Sequence, residues 1–152
     1  KDLAATKDFL PTICSIPGAK GPPLPIDGHN IKPLLFGETE AESPYEVFYY
    51  YRRRQLQAIR WGDWKYHLEL KETHPNWTTA DTLAEGRPAK LVNLASDLQE
   101  IIDLSRQHPE VVKRMKSLAQ EAVQKFGNDE RNGIMQRDSV DVPNPTAMAL
   151  EQ

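Results

Sequence analysis

The clearest periodic signal in the chain lies toward its C-terminal end. Val111, Met115, Leu118, Ala119, Ala122, Val123 and Phe126 recur at i, i+4, i+7, i+8, i+11, i+12 and i+15, which is one apolar stripe along a helix. Pro109 suits its first turn and Gly127 supplies its stop. Upstream the period changes to two. Trp64, Tyr66, Leu68 and Leu70 point one way, and Lys65, His67, Glu69 and Lys71 the other, so one side packs and the other meets water or a neighbouring domain. Val47 to Tyr51 and Gln55 to Trp61 are rich in strand formers, with the triplet Arg52, Arg53, Arg54 in the hairpin between them. Gly62 and Asp63 mark a second tight connection, and Lys90 to Leu94 is a fourth strand beyond a polar insertion, Glu72 to Pro88. Four short strands joined mainly by turns predict a small antiparallel sheet, and the Trp64 face is where the long helix belongs.

The flanks are less regular. Asp8 to Ser15 predicts a short helix, with Asp8 placed to accept hydrogen bonds from free first-turn amides. Residues 19–25 are an extended connector, Ile26 to Gly37 a turn with a small apolar cluster, and Glu38 to Pro44 an acidic loop. Asp97 to Leu104 predicts a second short helix, with Leu98, Ile101, Ile102 and Leu104 apolar. Asn128 to Gln152 is polar and proline-broken and is expected to be a tail. The fold class is therefore α+β, a four-stranded antiparallel sheet packed against one long C-terminal helix, preceded by a short helix and a connector.

Charge and composition narrow the chemistry. With 19 basic against 22 acidic residues, the net charge of -3 offers no general attraction for nucleic acid. No apolar run approaches the ~20 residues of a membrane span. One cysteine, Cys14, excludes an internal disulfide framework, and it is expected as a small core residue of the first helix. His29, His67, His74 and His108 form no i, i+4 ligand pair. His74 and Trp77 stand apart, because they lie in an irregular loop with no packing pattern to explain them, and such loops carry function disproportionately. Tyr49 to Arg54 mixes aromatic and basic groups. Alternating strand tyrosines before a charged hairpin explain it, and arginine geometry suits a small sulfated or carboxylated anion better than a nucleic acid.

The order of segments resembles the C-terminal part of type I, formylglycine-dependent sulfatases, the arylsulfatase-like family. Asp8 to Thr12 follows its D-L-x-P-T pattern, and Asp27 to Gly37 its D-G-x-S-L-x-P-L-L-x-G pattern. Phe48 to Arg52 and Ala58 to Lys65 follow F-Y-Y-x-R and A-V-R-x-G-x-W-K. Leu91 to Asp97 with Glu100 follows L-Y-N-L-x-x-D-P-x-E, and His108, Pro109 and Glu110 open the last helix. Leu98 replaces the usual proline of that pattern and Asp103 the usual asparagine.

This resemblance implies a sulfuric ester hydrolase whose formylglycine and Ca2+ are supplied by a preceding N-terminal part. The family's C/S-x-P-S-R motif is not present, since Cys14 is followed by Ser15, Ile16, Pro17 and Gly18. No catalytic and no metal-ligating residue is assigned to this chain, and it is expected to be inactive alone. The division expected is residues 1–44 as the end of the large α/β domain with its connector, 45–127 as the C-terminal subdomain, and 128–152 as the tail. His74 and Trp77 are the candidate substrate-binding residues, reaching a sulfated small molecule or sugar beside the remaining catalytic domain. The compartment implied for the full-length protein is periplasmic, secreted or lysosomal-like. A rival from another class is a non-catalytic module that binds an anionic partner through the arginine hairpin.

Overall fold

The structure, a computed structural model, describes residues 2–16, 19–21, 26–73 and 84–136. Two short helices, α1 (Phe9–Cys14) and α2 (Lys32–Leu35), precede six strands and one long helix. The strands are β1 (Val47–Arg52), β2 (Gln55–Trp61), β3 (Trp64–His67), β4 (Leu70–Thr73), β5 (Ala84–Arg87) and β6 (Lys90–Asn93), followed by α3 (Pro109–Phe126). The main sheet is antiparallel in the order β1-β2-β3-β6, and β4 and β5 pair separately as a ribbon. The α+β expectation of a four-stranded antiparallel sheet with one long C-terminal helix holds.

The register explains how the core closes. Tyr49 opposes Ile59, Ile59 opposes Tyr66, and Tyr66 opposes Leu91, so these side chains share one face. That face receives Met115, Leu118, Ala119 and Ala122 of α3, the inner half of the apolar stripe. Small alanines let the helix approach closely, while Met115 fills the deepest position with no exposed surface. Gly62 turns β2 into β3 at φ 56°, a left-handed conformation that favours glycine.

Three expectations need correction. The strand expected to run on through Leu70 and Lys71 ends at His67, and the chain resumes as β4, which leaves the sheet to pair with β5. The insertion from Glu72 to Pro88 is therefore rooted in a ribbon. Residues 97–104 form no helix. Their segment is too short to repay helix nucleation, and side-chain acceptors compete for its amides. Asp97 Oδ2 accepts from the Ile102 amide at 2.8 Å, Glu100 takes a left-handed φ of 58°, and Leu98, Ile101 and Ile102 stay exposed. Cys14 is half-buried with its thiol facing the Lys20 carbonyl, and Thr12 is the buried residue of α1.

Residues beyond Gly127 also return to the body of the protein. Gly127 bridges to Asn132, and the Ile134 and Met135 amides donate to the Gln124 and Lys125 carbonyls. At the other end, α1 and the loop around α2 expose Phe9, Leu10, Ile13, Ile16, Leu35 and Phe36, a dense run of outward apolar groups.

Truncating the core side chain Met115 to alanine should cost about 2–5 kcal/mol by urea denaturation, whereas Lys113→Ala on the exposed side of α3 should stay within about 0.5 kcal/mol. Similar small effects for both would mean that α3 is not docked through this stripe.

Candidate functional site

The second face of the sheet is polar, and its geometry begins with an irregularity in β2. Tyr50 opposes Ala58 but Tyr51 opposes Leu56, so Gln57 is an extra residue in the ladder. Its carbonyl is turned to other donors and accepts from the Leu68 amide and from the Arg87 guanidinium, both at 3.0 Å. Leu68 leads into β4, and Arg87 closes β5 opposite Leu70. One bulged carbonyl thus fixes both feet of the ribbon that carries residues 74–83.

Beside these feet lies a charge cluster. Lys65 and His67 sit two apart on β3 and point the same way. Glu100 reaches both: Lys65 Nζ donates to Oε1 and His67 Nε2 meets Oε2, each at 2.5 Å. The side chains of Lys65, His67 and Glu100 are only 15%, 16% and 25% exposed, so this is not the solvated strand face that alternation alone suggests. The left-handed backbone at Glu100 aims its carboxylate at β3, and Lys90 Nζ donates to the Glu100 carbonyl. Lys65 also lies 4.8 Å from the Tyr50 ring centre, a cation–π contact.

Burial pushes the His67 imidazole below its ordinary range, helped by the Lys65 and Arg87 charges and opposed by Glu100. A neutral ring at pH 7 then donates from Nε2 to the carboxylate. For Glu100, burial alone would raise the carboxyl, but hydrogen bonds from Lys65 and His67 outweigh it and hold the group below the usual carboxylate range.

A second buried carboxylate joins the N-terminal segment to the sheet. Asp8 has no exposed surface, and accepts from the Ala5 amide at 2.7 Å, from the His29 amide at 2.9 Å and from the Tyr45 hydroxyl. It was expected to cap a helix; instead it pins three distant pieces of chain together. Burial opposes its charge, yet these donors, Tyr45 first, keep its carboxyl low. Burial and the Asp8 charge push the Tyr45 phenol well up.

His74 and Trp77 lie outside the described residues. Lys65 and His67 are brought together on one face, and the group that joins them, Glu100, had been placed within a helix. The available signal is the demand of two neighbouring donors, Lys65 and His67, on one strand face for an acceptor. Among the described residues no group of three His, Cys, Asp or Glu side chains is arranged to hold a metal ion, so these residues do not fit the Ca2+ that the resemblance implies. Cys14, half-buried at the end of α1, has neither the sequence nor the setting of a formylglycine precursor.

Both His67 and Glu100 hold fewer protons folded than unfolded, so stability falls as pH falls. The His67 contribution is lost on descending from pH 6.5 and that of Glu100 on descending from pH 4.5. A melting curve series should decline through both windows, and His67→Gln should remove only the upper one. Glu100→Gln should cost about 1–3 kcal/mol at pH 7 by leaving a buried ammonium poorly matched. A pH profile unchanged by either substitution would show that the cluster does not contribute.

Comparison with known proteins places this architecture. A family model described as the C-terminal region of aryl-sulfatase matches residues 43–143. Human arylsulfatase A is 30% identical over 133 residues, which are 77% of this chain and 26% of that protein. Human arylsulfatase D is 31% identical over 111 residues, covering 61% of this chain and 18% of that one. A solved Bacteroides thetaiotaomicron structure, from work on the metabolism of multiple glycosaminoglycans, superposes with a TM-score of 0.55 at 25% identity, covering 76% of this chain and 24% of that one. The chain thus spans about a quarter of the length of the proteins it matches. With its sheet, its helix and 101 consecutive residues matched, it belongs to the family of aryl-sulfatase C-terminal regions.

Proposed function

We propose that this chain is the C-terminal portion of a sulfatase that hydrolyses sulfate esters, and that it completes the substrate pocket while a preceding catalytic domain supplies the reacting groups. The family match across residues 43–143 carries this reading. The exposed apolar groups of α1 and the α2 loop support it, since Phe9, Leu10, Ile13 and Ile16 present a surface suited to burial against a larger domain. In this reading residues 1–44 are the end of the large α/β domain, 45–127 the subdomain and 128–152 the tail. In this reading formylglycine and Ca2+ are supplied by the catalytic domain. Among the described residues no helix is long and apolar enough to cross a membrane. The family membership, not this absence, is what supports a periplasmic, secreted or lysosomal-like compartment for the full-length protein.

The pocket contribution is assigned to the insertion between β4 and β5. Its His74 can donate to a sulfate or a leaving-group oxygen, and the Trp77 indole offers a flat face to an aryl or sugar ring. The root at Gln57 and Arg87 supports this role, because it fixes where the insertion leaves and rejoins the sheet.

Two measurements test the proposal. The chain alone, with Ca2+, should not turn over a chromogenic aryl sulfate; turnover that is lost in Cys14→Ala would overturn the division of labour and favour catalysis at the cysteine. In the full-length protein His74→Ala should lower kcat/KM about 10-fold or more for substrates with poor leaving groups and less for good ones. Unchanged kcat/KM for every substrate would place the pocket wholly in the catalytic domain.

A further inference from the structure

A bay of about 480 Å³ opens along β1, on the side of the sheet away from β6. Its floor is aromatic and is formed from both sides of β1, with Phe48 on the face it shares with Tyr50 and the half-buried Tyr49, Tyr51 and Phe126 on the helix side, where Tyr49 and Phe126 have ring centres 5.6 Å apart. Its two ends are basic. Lys7 lies at the start of β1, its ammonium 5.2 Å from the Tyr45 ring centre, and Arg53 and Arg54 follow the strand's last residue. The six-residue strand between them spans about 20 Å. Among the described residues Asp27 is the single carboxylate in the lining, in a chain whose overall charge is negative.

The two arginines differ. Arg54 is engaged, donating to the Arg131 carbonyl and, at 2.8 Å, to Asn132 Oδ1. Arg53 makes no hydrogen bond or ion pair with any described residue, although it lines the bay. It also stands at φ 53° in the hairpin, a left-handed position that glycine or asparagine occupies with less strain. A cation held in a strained backbone position without a partner among the described residues is suited to an anion from outside.

We infer that this bay is a second, non-catalytic binding site for an extended oligosaccharide carrying sulfate or carboxylate groups, with sugar rings over the aromatic floor and anionic groups at Lys7 and Arg53. Flat apolar sugar faces match aromatic rings, and separated cations match anions spaced along a chain. An acidic peptide added as a further strand fits less well. The segment after α3 closes over the end of β1 through Tyr51, whose hydroxyl donates to the Gly127 carbonyl, so the strand does not offer a full-length edge. The site is independent of the hydrolytic assignment, because binding here needs no turnover.

The test is calorimetric titration of the full chain with persulfated maltotetraose, with maltotetraose, inorganic sulfate and a hexaglutamate peptide as separate arms. Persulfated maltotetraose should bind at least tenfold more tightly than any other arm. Arg53→Gly should weaken it about fivefold or more while raising the melting temperature, because the strain is released as the anion contact is lost. Lys7→Ala should weaken it similarly, and Lys113→Ala, on the exposed side of α3, should leave it unchanged. Equal weakening by Lys113→Ala would reduce the effect to general charge attraction and overturn the site. Tighter binding of hexaglutamate, equal binding of inorganic sulfate, or Arg53→Gly that binds like the parent chain would each overturn it too.

Discussion

A four-stranded sheet has two faces, and a single helix covers only one of them. The rest of this structure follows from that constraint. The face built on Tyr49, Ile59, Tyr66 and Leu91 is closed by α3, and it is apolar because a helix stripe can fill it. The opposite face holds Ala58 and Val92 fully buried, yet among the described residues no second helix seals it. Its solution is polar. Lys65 and His67 stand on that face, the Lys65 charge and the His67 ring N–H both met by Glu100, brought in by the irregular segment after β6. A face covered in this way can be buried without being hydrophobic, provided that each polar group finds a partner.

The same device recurs wherever the backbone is irregular. Asp8 fixes Ala5, His29 and Tyr45, the Gln57 carbonyl fixes Leu68 and Arg87, and Asp103 fixes the Leu91 amide at the sheet's outer edge. Each is one acceptor that gathers donors from segments far apart in sequence. The Leu104 amide in turn donates to the Leu91 carbonyl, so the edge strand β6 is covered by chain and not left as a template for association. Acceptors of this kind give position more than net stability, since each group gives up water before it gains its partners.

Much of the fold was legible because it rests on periodicity. The α3 stripe, the alternation from Trp64 to Leu68 and the glycine turn at Gly62 are local patterns, and each determined an element. What was not legible rests on single long-range contacts. Nothing local distinguishes Asp8 as a hub from Asp8 as a helix cap, because its partners at His29 and Tyr45 are set by the path of the connector. The segment 97–104 has a helix-like apolar spacing, but Asp97 takes the Ile102 amide and the far end of the segment is tied to β6, where the Leu91 amide donates to Asp103 and Ser105. Lys65 and His67 were placed on the correct face, but their burial depended on Glu100 arriving from 33 or more residues away. For the candidate site, His74 and Trp77 rest on the chemistry of their side chains alone, and both lie outside the described residues.

The position of the polar cluster has a consequence for how such a region diversifies. The feet of the β4–β5 ribbon are tied to β2 through Gln57, and His67 beside them is tied to Glu100. Residues 74–83 begin and end on those feet, so their composition can change without altering the register of β2, β3 and β6. A substitution at Glu100 or Arg87 would instead disturb the root itself. Constraint thereby falls on the buried polar groups that hold the frame. The strained Arg53 hairpin at the far edge follows the same logic, with one exposed, non-optimal residue carried on a register that the helix face already determines.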